Sequence, residues 1–172
     1  MKATNSKTIR TDAKVLFAAL KHPDVLYPAR WKKASRKFVN WLRANDIPAP
    51  LIELYKQGTP TSYAQLGFGG LSSEKELIQE NKENPNFLLA EFLIVGSASN
   101  GDIIAVDFGK GNGAAGYFSH ELGPKELSPR QIRRDFRAVA PSLGAMVLGL
   151  VKDSVPIDYY WTWSQENEGR AQ

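Results

Sequence analysis

Apolar residues recur along the chain with two periods, and the switches between them mark a succession of helices and strands. Leu16, Phe17 and Leu20 share one side of a segment that Thr11 can cap, which predicts a short helix over about 11–21. His22-Pro23 ends it, because the residue before proline is pushed out of the helical region. Trp31, Ala34, Phe38, Trp41 and Leu42 recur at spacings of three and four. They predict a second helix over about 29–44, with Lys33, Arg36, Lys37 and Asn40 on the opposite face. Ile47-Pro48-Ala49-Pro50 interrupts that pattern, and 51–57 reads as a short helix stopped by Gly58. Residues 58–73, rich in Gly, Ser and Thr, read as loop or short strand. Ser73 caps a helix over 74–82, and Pro85 terminates it.

The β signal comes next. Two apolar, β-branched runs, 87–95 and 102–108, flank a loop ending in Asn100-Gly101. Asn-Gly readily takes positive φ, so the pair reads as a hairpin. Glycine-rich 109–116 leads to a third strand near 115–120, giving an antiparallel meander. Ser128-Pro129 opens a helix with proline at its first position, and a further helix covers about 141–152. Ile157, Tyr159, Trp161 and Trp163 alternate as one face of a last strand, which leaves Tyr160 outward. The expected fold is α+β, a central, largely antiparallel sheet flanked by helices. One domain of 172 residues is expected: a basic helical N-terminal extension (1–45), an α+β core (46–163) and a polar tail (164–172).

Charge changes the picture more than composition does. The net +4 hides a segregation: residues 1–45 carry 11 Lys/Arg against 2 Asp/Glu, and the remainder 11 against 16. A basic quarter joined to a mildly acidic body bears on partners, not on fold. The absence of cysteine excludes disulfides, thiolate nucleophiles and Cys-type zinc sites. The longest apolar run, Leu143 to Val151, falls far short of the roughly 20 residues of a spanning helix, so no membrane partner is expected. Val15 to Leu20 is too short for a signal-peptide core, and the cytoplasm is the expected compartment.

Candidate chemistry is thin. Gly111-Asn112-Gly113-Ala114-Ala115-Gly116 matches the dinucleotide fingerprint. That chemistry needs a helix to open after the glycines, whereas Tyr117-Phe118-Ser119-His120 is a strand pattern, so no cofactor is expected. Asp102 and Asp107 bracket one strand, and their odd spacing sends them to opposite faces, which argues against a catalytic pair. His120-Glu121 lacks the second histidine of a zinc-protease helix, and His22 precedes a proline. No catalytic residue, cofactor or metal ligand is therefore assigned. The basic helix with interleaved aromatics could face nucleic acid, but Trp31, Phe38 and Trp41 lie where a core would claim them, and base stacking needs exposed rings.

Phe92-Leu93-Ile94-Val95-Gly96-Ser97 followed by Asn100-Gly101-Asp102-Ile103-Ile104-Ala105-Val106-Asp107 resembles the central signature of the SUKH superfamily. That signature is a strand ending in small residues, a Gly-Asp turn, and an apolar strand closing in Asp. Gly116-Tyr117-Phe118-Ser119-His120-Glu121 is similar to the family's next strand, and Phe68-Gly69-Gly70-Leu71-Ser72-Ser73-Glu74 to its loop-to-helix step. Val139-Ala140-Pro141-Ser142-Leu143 resembles the start of its C-terminal helix. The resemblance covers about 48–152. Gln57-Gly58 stands where the family has Asn-Gly, Leu143 replaces the usual Phe, and the basic N-terminal helices are not part of the signature. The resemblance implies an α+β domain that acts by protein contacts, in bacteria as an immunity protein binding and neutralising a toxin, and it brings no catalytic residue or cofactor. The expectation is a non-catalytic module for a protein effector or toxin, with Lys33, Arg36, Lys37 and Tyr160 as partner-binding candidates. Two alternatives stay open: a nucleic-acid-associated protein using the basic helix, and an enzyme with a site near Asp102, Asp107 and His120.

Overall fold

The computed structural model describes residues 9–21 and 30–156. Its helices are α1 (Ala13–Ala19), α2 (Arg36–Ala44), α3 (Ala49–Gln57), α4 (Glu74–Glu83), α5 (Pro85–Leu89), α6 (Pro129–Asp135) and α7 (Leu143–Val151). Its strands are β1 (Trp31–Lys32), β2 (Thr59–Pro60), β3 (Ala64–Leu66), β4 (Gly69–Leu71), β5 (Phe92–Ala98), β6 (Ile103–Asp107), β7 (Ala115–Phe118) and β8 (Arg137–Ala140). β1 pairs only with β2; β3 to β8 form one antiparallel sheet in sequence order. The fold is thus α+β, with the two strongest β-formers of the sequence at the sheet's centre and helices on both sides.

Strand alternation separates two cores. Leu93, Val95, Ile104, Val106 and Tyr117 face a large cluster that also takes Leu16 of α1, Phe38 and Leu42 of α2, Leu51 of α3 and Met146 of α7. Phe92, Ile94, Ala105 and Phe118 face a smaller cluster closed by Phe87 of α5 and Ile132 of α6. Both faces of the central strands are therefore dry, and β5 reads as one continuous apolar run rather than an alternation. The strands also approach closely: a methyl on Gly96 would collide with the Gly70 carbonyl oxygen of β4.

β4 is shorter than β5, and α4 completes the difference. The β4–β5 register ends at Leu71 and Gly96, and although Ser72 still donates to Val95, β4 supplies no paired residue for Ile94. Asn81, fully buried on α4, fills the gap: its Nδ2 donates to the Ile94 carbonyl at 2.8 Å and its Oδ1 accepts from the Ile94 N–H at 3.0 Å. An amide side chain thus does there what a strand residue would do.

Several elements differ from the sequence expectation. The second helix begins at Arg36, because Trp31–Lys32 pair with Thr59–Pro60 and Ser35 supplies the cap that starts the helix there. Asp12, at φ 48°, precedes α1 in place of a Thr11 cap. Within 58–73, expected as loop or short strand, the short strands β3 and β4 form, joined by a turn at Gly67-Phe68. The run expected to start a strand at Phe87 opens with helix α5, since Pro85 sits in its first turn, and the strand starts at Phe92. β8 has no counterpart in the sequence pattern; it forms by pairing with β7. The glycine loop 109–116 connects β6 to β7 with no helix after it, as its context implied. It is not free surface, however: Gly113 is buried at φ +99°, and a side chain there would strike the backbone of Arg10, whose N–H donates to Asn112. The expected strand over 157–163 and the tail over 164–172, Tyr160 among them, lie outside the described residues. Among the described residues no helix is long and apolar enough to cross a membrane.

Candidate functional site

Two serines position the most suggestive surface. Ser35 caps α2 by accepting the Phe38 N–H at 3.1 Å, and Ser73 caps α4 in a reciprocal box with Glu76. Glu74, the first residue of α4, reaches back to the start of α2. Its buried carboxylate accepts the Ser35 N–H at 2.7 Å and lies 3.5 Å from Lys32 Nζ. The two helix starts are thereby clamped side by side. Between them runs a groove of about 270 Å3 with Phe38, Trp41 and Ile78 as its apolar lining and Lys37, Lys75 and Lys82 at its rim. Phe38 is 1% exposed, and the half-buried Trp41 ring lies parallel to it, 8° between planes and 6.3 Å between centroids. The three lysines are exposed, and none is ion-paired among the described residues.

Of the sequence candidates, Lys37 lines this groove; Lys33 and Arg36 are exposed outside its lining. Trp31 packs edge-on against Phe17 at 6.3 Å, so the aromatics of the basic segment are engaged with the domain. Lys75, Ile78 and Lys82 were missed, although their i, i+3, i+7 spacing places them on one helix face. What the sequence could not supply is that this face meets α2.

Asp102 and Asp107 are kept apart. They stand five residues apart along β6, about 16 Å, and each is engaged separately. Asp102, fully buried, accepts from the His120 N–H at 3.1 Å and from Asn100 Nδ2 at 2.9 Å, and shares a hydrogen bond with His120 Nδ1 at 2.9 Å. The pair fixes the β5–β6 turn to the end of β7. Asp107 accepts from the Gly109 N–H at 2.9 Å and from Arg133 Nη1 at 3.2 Å. Arg133 also binds Glu91 at 2.9 Å and lies 5.0 Å from the Phe92 ring centroid, so this network fastens α6 to the sheet.

A second, wider depression of about 530 Å3 lies beside that network, lined by Leu89, Lys110, Arg130, Arg133 and Arg134. Leu89 is 70% exposed. Arg133 is paired with Asp107 and Glu91, and Arg134 with Asp135 at 2.7 Å, whereas Lys110 and Arg130 form no ion pair among the described residues. On the far side of α4, Glu80 is held above the usual carboxylate range chiefly by burial, with the Ser72 hydroxyl bond opposing the shift. Burial likewise raises the pKa of the Tyr63 hydroxyl. Among the described residues no three His, Asp or Glu side chains gather as a metal site. No family model matches the chain, and neither a curated protein nor a solved structure matches it.

Proposed function

We propose that this chain is a non-catalytic protein-binding module of immunity type, which binds a protein toxin in the cytoplasm and neutralises it by covering its surface. The observation that carries this reading is the position of Arg36 and Lys37. They occupy the first turn of α2, where no acidic residue accompanies them. Cations there oppose the positive end of the helix dipole, an arrangement that costs about 0.3–1 kcal/mol each at an exposed site. Glu74 offsets part of it through the Ser35 N–H. Cations held against the dipole beside an apolar groove suit recognition of an anionic surface better than they suit stability. The resemblance of residues 48–152 to the SUKH superfamily points the same way.

The rival readings have less support. Phe38 is buried and Trp41 lies against it, so α2 presents no exposed aromatic row for bases to stack on. Asp102 and Asp107 each serve a separate structural contact, so these two do not form a carboxylate pair for acid–base work. The test is co-expression with the product of the neighbouring large reading frame. A one-to-one complex that survives purification and restores growth is expected. Absence of both a complex and rescue refutes the immunity role.

A further inference from the structure

Resting on the protein-binding reading above, the chemistry of the bound partner can be named. We propose that the groove between α2 and α4 receives one large apolar side chain from an acidic segment of a protein partner, whose flanking carboxylates pair with Lys37, Lys75 and Lys82.

The lining sets the first half of this. Trp41 and Ile78, over a floor of buried Phe38, offer carbon to whatever enters, and about 270 Å3 is too small for a cofactor-sized ligand but ample for one buried side chain. The walls are fixed before anything binds. Phe38 belongs to the core, Trp41 is stacked on it, and Glu74 ties the two helix starts together. A preformed pocket of this kind avoids the ordering cost that weakens flexible surfaces, and a buried aromatic centre is where interface energy concentrates.

The rim sets the second half. Glu74 is the one carboxylate in the described lining, and it is already committed to Ser35 and Lys32. None of the three lysines forms an ion pair among the described residues, so their charge is open to an incoming carboxylate. They come from two helices and surround the apolar patch, so a complementary ligand has an apolar centre with acids on either side. Lysine suits this role, because a point charge on a flexible stem meets carboxylates in varied geometry. The wider depression at Arg130 and Arg133 lacks this combination, since two of its four cations are paired from within and its lining holds no aromatic ring. A nucleic-acid strand would use the lysines but leave the apolar lining wet, and that alternative is an outcome of the test.

The experiment is a display selection of random 12-residue peptides on the full chain, with depletion on the Lys37→Glu/Lys75→Glu/Lys82→Glu variant. Circular dichroism and melting would confirm that the variant is folded. Survivors should carry Phe, Leu or Trp flanked by Asp or Glu. A synthetic survivor should lose at least about tenfold in affinity for the triple variant, the worth of a few rim charges. Affinity should return with Arg at the same three positions, and fall when the peptide's apolar residue becomes Ser. Survivors without that pattern, none that prefer the wild type, or displacement of the peptide by a thymidine oligonucleotide would overturn the proposal. The two readings fail separately. A co-purified toxin that binds wild type and triple variant equally sinks the groove but leaves the module. An acidic–apolar peptide pattern with no toxin complex leaves the groove and sinks the immunity role.

Discussion

Asn81→Ala removes the amide that takes the place of a missing strand residue. The Ile94 N–H and carbonyl both lose their partner on that side, at a site where Asn81 is fully buried and water has no access. An orphaned buried group costs about 1–3 kcal/mol, so the pair predicts a loss of about 4 kcal/mol. The Leu77 carbonyl, also bonded by Asn81 Nδ2, keeps a helical donor and adds little. Such a loss is a large part of the roughly 5–15 kcal/mol that holds a domain together. Asn81→Asp is the sharper probe, since it keeps an acceptor for the Ile94 N–H but sets an anion against the Ile94 carbonyl. Burial raises that carboxyl's folded pKa above its unfolded value of about 3.9. Its neutral form, able to donate, is therefore favoured by folding. The stability it contributes is present below the unfolded pKa and is lost as pH rises through the folded one. Urea unfolding at pH 7 and pH 4, each referred to wild type at the same pH, is the assay. Asn81→Ala should cost about the same at both, and Asn81→Asp clearly less at pH 4. A cost below about 1 kcal/mol for Asn81→Ala, or an Asn81→Asp penalty that ignores pH, would refute the reasoning.

Three further outcomes rest on the packing. Phe38→Ala should cost about 3–5 kcal/mol and Trp41→Ala about half that, because only Phe38 is fully enclosed; equal costs in thermal unfolding would mean the groove wall is misdescribed. Glu80→Gln should leave stability unchanged near pH 4 and raise it at pH 7. Burial lifts the folded Glu80 pKa above the usual 4.5, so the wild type loses stability as pH rises through that raised value, and a melting difference that does not grow with pH would contradict this. Gly96→Ala should part β4 from β5 and lower the melting midpoint sharply, whereas a neutral result would show that the two strands are not in that close register.

How far the sequence revealed this depends on the range of the interaction that decides each element. The β5–β6 hairpin was legible because Asn100-Gly101 sets its turn locally, and Gly101 takes φ +94°. The capped start of α4 was legible for the same reason, Ser73 and Glu76 being three residues apart. β8 was not, because Arg137-Ala138-Val139-Ala140 carries no pattern of its own and becomes a strand only beside β7. Trp31 looked helical by spacing, yet its strand conformation is set by Pro60, far along the chain. Lys37 could be picked out as a candidate, since the basic run is visible in the sequence. The groove could not, because it needs Ile78 and Lys82 brought against α2 by the Glu74 clamp.

The most direct test of the central claim is the association rate of the purified toxin partner with wild type and with the Lys33→Glu/Arg36→Glu/Lys37→Glu variant, measured across ionic strength. These side chains are solvated, so their reversal should change folding stability by no more than about 0.5 kcal/mol. The account predicts that the variant associates many-fold more slowly at low salt, and that the two rates converge as salt screens the charges. Equal rates at low salt would contradict it and move the interface to another face of the protein.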